Sequence, residues 1–176
     1  MTGDGPARVL TLAAADPQSD DARALLAALS ARLAEITGSS GEASFRVEDL
    51  LAPGAVFAVA RDAAGAAVGC GALRPLAPGV AELKRMYARP GTRGVGAALL
   101  AWLEAAAPPL GHRRIRLETR AVNRRAVRFY TAHGYRRIAN FGPYVGRPEA
   151  LCFEKTLSAA GNFPTPLEVD ADARYR

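Results

Sequence analysis

Lysine is almost missing from this chain. Only Lys84 and Lys155 occur among 23 basic residues, so the formal charge of +6 rests on arginine. Cysteine is nearly as scarce. Cys70 and Cys152 could form one disulfide by arithmetic, but both lie in strand-like runs, and two buried thiols of a cytosolic protein is the expected state. His112 and His133 stand apart in sequence, no Cys/His cluster has metal-ligand spacing, and no metal is inferred. No apolar run approaches the ~18 residues that a membrane crossing requires. The first eight residues lack a basic stretch followed by an apolar one, so no secretory signal is expected and the location is read as cytoplasmic.

What is present fits one compact domain. A chain of 176 residues that is 49% hydrophobic can bury a core. Nine arginines fall between Arg113 and Arg137. They suit a nucleic-acid patch, attraction of an anionic cofactor, or a solvated face. They alternate with apolar positions such as Ile115, Leu117 and Phe129, and no aromatic interleaving suggests base stacking, so nucleic acid is not expected as a partner.

The most informative stretch runs from Glu82 to Glu104: a strand, a turn with Gly91, Gly94 and Gly96, then an apolar-striped helix. Glycines allow close backbone approach, and a helix start offers unpaired N–H groups and the positive end of its dipole, which together favour phosphate. No Lys-Ser or Lys-Thr pair follows the last glycine, and the spacing is not that of a dinucleotide fold. The ligand is therefore read as a phosphate that is not an ordinary nucleotide.

Further on, residues 114–120 alternate as a strand, and residues 123–135 read as a helix capped by Asn123 and stopped by Gly134. Together the two segments resemble the GNAT superfamily of acyl-CoA-dependent N-acyltransferases. That family carries Asn-x-x-Ala-x-x-(Phe/Leu)-Tyr-x-x-x-Gly-(Phe/Tyr), matched here by Asn123, Ala126, Phe129, Tyr130, Gly134 and Tyr135. Its pyrophosphate turn, Gln/Arg-x-x-Gly-x-Gly/Ala, is matched in one of two registers. One uses Gly94 and Gly96 with Gly91 at the Gln/Arg position; the other uses Arg93, Gly96 and Ala98. The first places Leu99 and Leu100 where the family has its helix leucines. The resemblance covers residues 8–157.

The resemblance implies an α+β (α/β/α) fold with a mixed, largely antiparallel seven-stranded sheet, splayed at its centre and carrying helices on both faces. Residues 1–157 would form the single domain and residues 158–176, which lack clear periodicity, a tail. It implies acetyl-CoA as cosubstrate and an amine as acceptor, with no membrane or nucleic-acid partner and homodimerisation left open. The pantetheine arm would lie along Met86, Tyr87 and Ala88, where a backbone N–H polarises the thioester carbonyl, and would touch Asn123. The turn of Gly91, Thr92, Arg93, Gly94, Val95, Gly96 and Ala97 would hold the pyrophosphate. Tyr130 would protonate the departing thiolate, its other reading being a core aromatic. Glu82 is the candidate base: strand alternation puts it on one face with Lys84 and Met86, and its other reading is a surface pair with Lys84. Acceptor specificity is expected in residues 37–45, 74–79 and 140–146, with Arg46, Arg74 or Arg147 able to hold a carboxylate. An acyl-CoA sensor without turnover and an arginine-rich nucleic-acid-binding module are the readings of other classes.

Overall fold

The computed structural model describes residues 8–158 and 161–171. Its first strand, β1 (Val9–Ala14), leads to α1 (Asp20–Thr37). Ser19 caps α1 by accepting from the Ala22 N–H at 3.3 Å, and Gly38, at φ 77°, ends it in the left-handed region. A pair of 3-10 turns, Glu42–Ser44 and Val47–Leu51, carries the chain to a meander of β2 (Val56–Arg61), β3 (Ala67–Ala77) and β4 (Val80–Ala88). Asp62 builds the β2–β3 turn by accepting from the N–H groups of Ala64 and Ala66. Then come α2 (Val95–Ala106), β5 (Arg114–Arg120), α3 (Arg124–Ala132), β6 (Arg136–Ile138), β7 (Ala150–Thr156) and β8 (Leu167–Asp170).

The sheet order is β6-β7-β5-β4-β3-β2-β1-β8. Every neighbouring pair is antiparallel except β4 and β5. The seven expected strands are all present, and an eighth joins them from the segment expected to be a tail. Its Leu167-Glu-Val-Asp run pairs with β1 from Val9↔Asp170 to Leu12↔Leu167. Phe163 meets Trp102 edge-on, with centroids 5.6 Å apart, and Ala171 packs against Gly94.

Helix α2 is apolar nearly all round and buries Leu99, Leu100, Trp102 and Leu103 against one sheet face, joined there by Tyr130 and Tyr135. Helix α1 covers the opposite face with a smaller cluster in which Ala22, Leu25, Phe57, Val59 and Cys70 meet. Cys70 and Cys152 are both free and buried. Burial pushes the Cys70 thiol up to about 12, against a smaller opposing pull from Arg85, so it stays protonated.

Candidate active site

The site grows from a failure of pairing. β4 and β5 are joined only at Val80↔Arg114, Ala81↔Ile115 and Glu82↔Arg116. Beyond those pairs the strands diverge, held apart by different neighbours: β4 keeps pairing with β3 up to Ala88, and β5 with β7 up to Arg120. A cavity of about 340 Å³ fills the gap, with Lys84, Arg85 and Met86 on one wall and Leu117 to Arg120 on the other. Asn123, Tyr130, Tyr144 and Arg147 complete it, with residues of the 37–44 loop above.

A bulge sets the orientation of β4. Between Cys70↔Tyr87 and Ala72↔Lys84 the strand holds one extra residue, and Arg85 there has φ 56°. Arg85 is fixed in this left-handed geometry by bonds from Nη1 to the Ser40 carbonyl and Ser30 Oγ, and by the Phe45 ring beneath its guanidinium. The bulge reverses the alternation. Lys84 faces Ser44 and Tyr144, whereas Met86 packs into the core under α2. The expected common face for Glu82, Lys84 and Met86 is thus corrected, because that alternation assumed an unbroken strand. Downstream, the Arg89 N–H bonds the Val68 carbonyl of β3, so by alternation the N–H groups of Met86 and Ala88 turn away from β3 into the gap.

Tyr130 lies on the α3 side of the cavity, buried between the rings of Phe129 and Tyr135. Its hydroxyl has no hydrogen bond among the described residues, and burial raises its pKa, so the proton stays on the phenol. Asn123 does two things at once. It caps α3 by accepting from the Ala126 N–H at 3.2 Å, and it lines the cavity.

The glycine turn continues the same strand. Gly91 (φ 83°) has open space where a side chain would stand, and Gly94 (φ 71°) is the N-cap of α2. Thr92 stiffens the turn by donating Oγ1–H to the Arg89 carbonyl at 2.6 Å. The first backbone bond at the helix start is Ala98 N–H to Gly94 O, and among the described residues the preceding N–H groups of Val95, Gly96 and Ala97 have no backbone acceptor. Gly96 packs on the Phe129 ring, which ties the turn to α3. Tyr87, Ala88 and the turn stand beyond the cavity walls, along its continuation; Met86 forms part of them.

Glu82 is neither a surface residue nor a cavity-lining one. It is 1% exposed, and its Oε2 accepts from Arg74 Nε (3.0 Å) and Nη2 (2.9 Å) while Oε1 accepts from the Tyr144 hydroxyl (2.9 Å). Lys84 Nζ stands 3.7 Å from Oε1 and donates to Tyr144 and Ser44. Burial tends to lower the Arg74 pKa, but the carboxylates of Glu82 and Asp49 outweigh it and hold the guanidinium charged. Both oxygens of Glu82 are thus held by donors of the protein, and neither lines the cavity where a substrate amine would stand. Burial lowers the pKa of Lys84.

Sequence reasoning missed Glu118. It lines the cavity from β5, and its Oε1 is buried with no hydrogen bond among the described residues, Arg120 Nε standing 3.7 Å away. Burial raises its pKa, against the smaller pull of Lys84 and Arg120. Alternation in the run 114–120 does not distinguish it from a solvated residue; only the splay turns it inward. Of the three loop arginines, Arg74 is consumed by Glu82 and Asp49, and Arg46 is exposed beside Glu48. Arg147 alone lines the cavity.

The "Acetyltransferase (GNAT) family" profile matches residues 22–135, from the first turn of α1 through the Tyr130–Tyr135 segment. This chain belongs to the GNAT family. A Klebsiella pneumoniae subsp. pneumoniae protein assigned as an acyl-CoA N-acyltransferase superposes with a TM-score of 0.71 at 33% identity, covering 85% of this chain and 98% of that one. An acetyltransferase from Streptococcus agalactiae, at 21% identity and TM-score 0.69, shares the fold over 84% of this chain and 98% of its own. An uncharacterized N-acetyltransferase of Schizosaccharomyces pombe is 35% identical over 99 residues, 54% of this chain. The chain spans 59% of that relative's length. The GNAT fold expected from the sequence is the fold observed. Among the described residues no group of His, Cys, Asp and Glu could hold a metal ion, and no helix is long and apolar enough to cross a membrane.

Proposed function

We propose that this GNAT protein moves the acetyl group of acetyl-CoA to a primary amine by direct attack in a ternary complex. The observation that carries this reading is the gap between β4 and β5, where the N–H groups of Met86 and Ala88 turn away from β3 and the adjoining cavity is lined by Met86 and by Tyr130, whose hydroxyl has no hydrogen bond among the described residues. The turn from Gly91 to Ala97 supports pyrophosphate binding, because open space at Gly91 leads to a helix start whose N–H groups have no backbone acceptor among the described residues.

In this reading the amine nitrogen attacks the thioester carbon, the carbonyl oxygen becomes an oxyanion, and a fixed N–H of the Met86–Ala88 segment stabilises that charge. The C–S bond then breaks and Tyr130 gives its proton to the leaving sulfur. The amine's surplus proton leaves toward a carboxylate or water. Glu82, the base expected from the sequence, reaches the cavity through the Tyr144 hydroxyl and Lys84, and we assign it the anchoring of Arg74, Lys84 and Tyr144 instead.

The test is thermal unfolding with acetyl-CoA beside a thiol-release assay over a panel of amines. A ligand at 100 times its Kd adds about 2.7 kcal/mol to the native state, a rise of roughly 5–10 °C for a chain of this size. No rise for a folded sample would sink the cofactor assignment. A rise without thiol release on any amine would point to the sensor reading.

A further inference from the structure

The acceptor side of the splay holds two charged groups that the transfer chemistry above does not use. Glu118 lines the cavity from β5, and its Oε1, buried beneath, has no hydrogen bond among the described residues. Arg147 stands at the cavity mouth, exposed, and its guanidinium has no hydrogen bond or ion pair among the described residues. Its backbone is nonetheless fixed. The Asn140 side-chain amide donates to the carbonyls of Tyr144 (3.1 Å), Arg147 (2.9 Å) and Ala150 (3.1 Å), and the Arg147 N–H bonds the Tyr144 carbonyl. A guanidinium carried on a braced loop and left without a carboxylate partner offers a two-pronged donor toward the cavity. Every other cation on the walls is already engaged: Lys84 by Ser44 and Tyr144, Arg85 by Ser40, and Arg120 beside Glu118 and Glu149.

We propose that this cavity is an acceptor subsite for a free amino acid, with Arg147 gripping the carboxylate and Glu118 receiving the amine. The inference rests on the acetyl-transfer reading and adds the chemical class of its acceptor. At neutral pH the acceptor arrives as an ammonium, which must lose a proton before its nitrogen can attack. The Glu118 carboxylate, which lines the cavity, is the acceptor for that proton, directly or through one water. One proton passes from the ammonium to the carboxylate, the freed lone pair forms the new C–N bond, the thiolate leaves with the Tyr130 proton, and the second nitrogen proton, acidic once that bond has formed, restores the Tyr130 phenol directly or through water. The groups facing Glu118 are Lys84 and Glu82 from β4, Arg120 from its own strand, and Tyr144, Arg147 and Cys152 from the β7 side. A cavity of about 340 Å³ suits a small molecule better than a folded surface. A peptide N-terminus would bring an amine with no carboxylate beside it and leave Arg147 unused.

The experiment compares kcat/KM in the thiol-release assay for free amino acids, their carboxamides and the amines lacking the carboxyl group. Acid should exceed amide by about 10- to 100-fold, the worth of a charge-assisted bond pair. Arg147→Ala should collapse that ratio chiefly through KM, while Arg46→Ala, at an exposed loop arginine outside the cavity, leaves it intact. Glu118→Gln should lower kcat and remove the low-pH limb of the rate profile, with Glu118→Asp restoring part of it. Equal rates for acid and amide, or an unchanged ratio in Arg147→Ala, would overturn the subsite while leaving acetyl transfer standing. Failure of every amine, with no stabilisation by acetyl-CoA, would bring down the underlying reading as well.

Discussion

The two faces of the sheet are built from the same strands and differ in what they bury. Under α2 lies an apolar mass of leucines, Trp102 and aromatic rings that runs from β1 to β7. On the other side, around the β4–β5 gap, the chain buries Glu82, Arg85 and most of Lys84, with Glu118 nearby. Burying apolar area stabilises without direction, whereas burying charge costs several kcal/mol per ion unless geometry repays it. The first face therefore supplies stability, and the second spends some of it holding charges where solvent cannot neutralise them. The proposed chemistry sits at the seam, since Tyr130 belongs to the apolar side and Glu118 to the charged one.

Substitutions can break this division, and the largest effect should come from the apolar face. Leu103→Ala removes a fully buried side chain and should cost about 3 kcal/mol, lowering Tm by roughly 6–12 °C, with kcat per folded molecule unchanged. Close behind, Glu82→Gln should cost about 3 kcal/mol by leaving Arg74 and Lys84 without their carboxylate. A loss of turnover beyond the loss of folded protein would return Glu82 to the chemistry. Tyr130→Phe should lower kcat about 100-fold, equivalent to about 2.7 kcal/mol of transition-state stabilisation, and leave Tm and acetyl-CoA affinity nearly unchanged because its hydroxyl is unbonded. Full turnover with a lowered Tm would make Tyr130 a packing residue.

The smallest effect concerns pH. Burial raises the Glu118 pKa in the fold, so its contribution to stability is complete below the unfolded value and is lost as pH rises through the folded one. Glutamine keeps the neutral form throughout. Glu118→Gln should therefore melt higher than the parent at pH 7, with the difference closing near pH 4. A lower melting point at pH 7 would mean that Lys84 and Arg120 draw more from this carboxylate than its burial costs.

Much of this molecule could be read from sequence because the signals were local. Asn123 is a cap in the structure as in the sequence, and the alternating run 114–120 is β5. The family motif brought Tyr130 and Asn123 to one cavity. The bulge at Arg85 was hidden because nothing marks a non-glycine residue for positive φ; the tertiary contacts of its side chain hold it there. Glu118 was hidden because alternation cannot tell solvent from a gap between strands. The eighth strand was hidden because Leu167 to Asp170 is a short edge strand, mostly exposed, with little pattern to display.

That last strand has a consequence for solubility. At one end of the sheet β6 is three residues long and carries Arg136 and Arg137, a poor template for further pairing. At the other end β1 is longer and more apolar, and β8 covers it with Glu168 and Asp170. Stripped of residues 161–171, the chain would keep every residue of its cavity walls and yet present an open strand of Val9-Leu-Thr-Leu, whose idle N–H and C=O groups would recruit other copies into edge-to-edge aggregates.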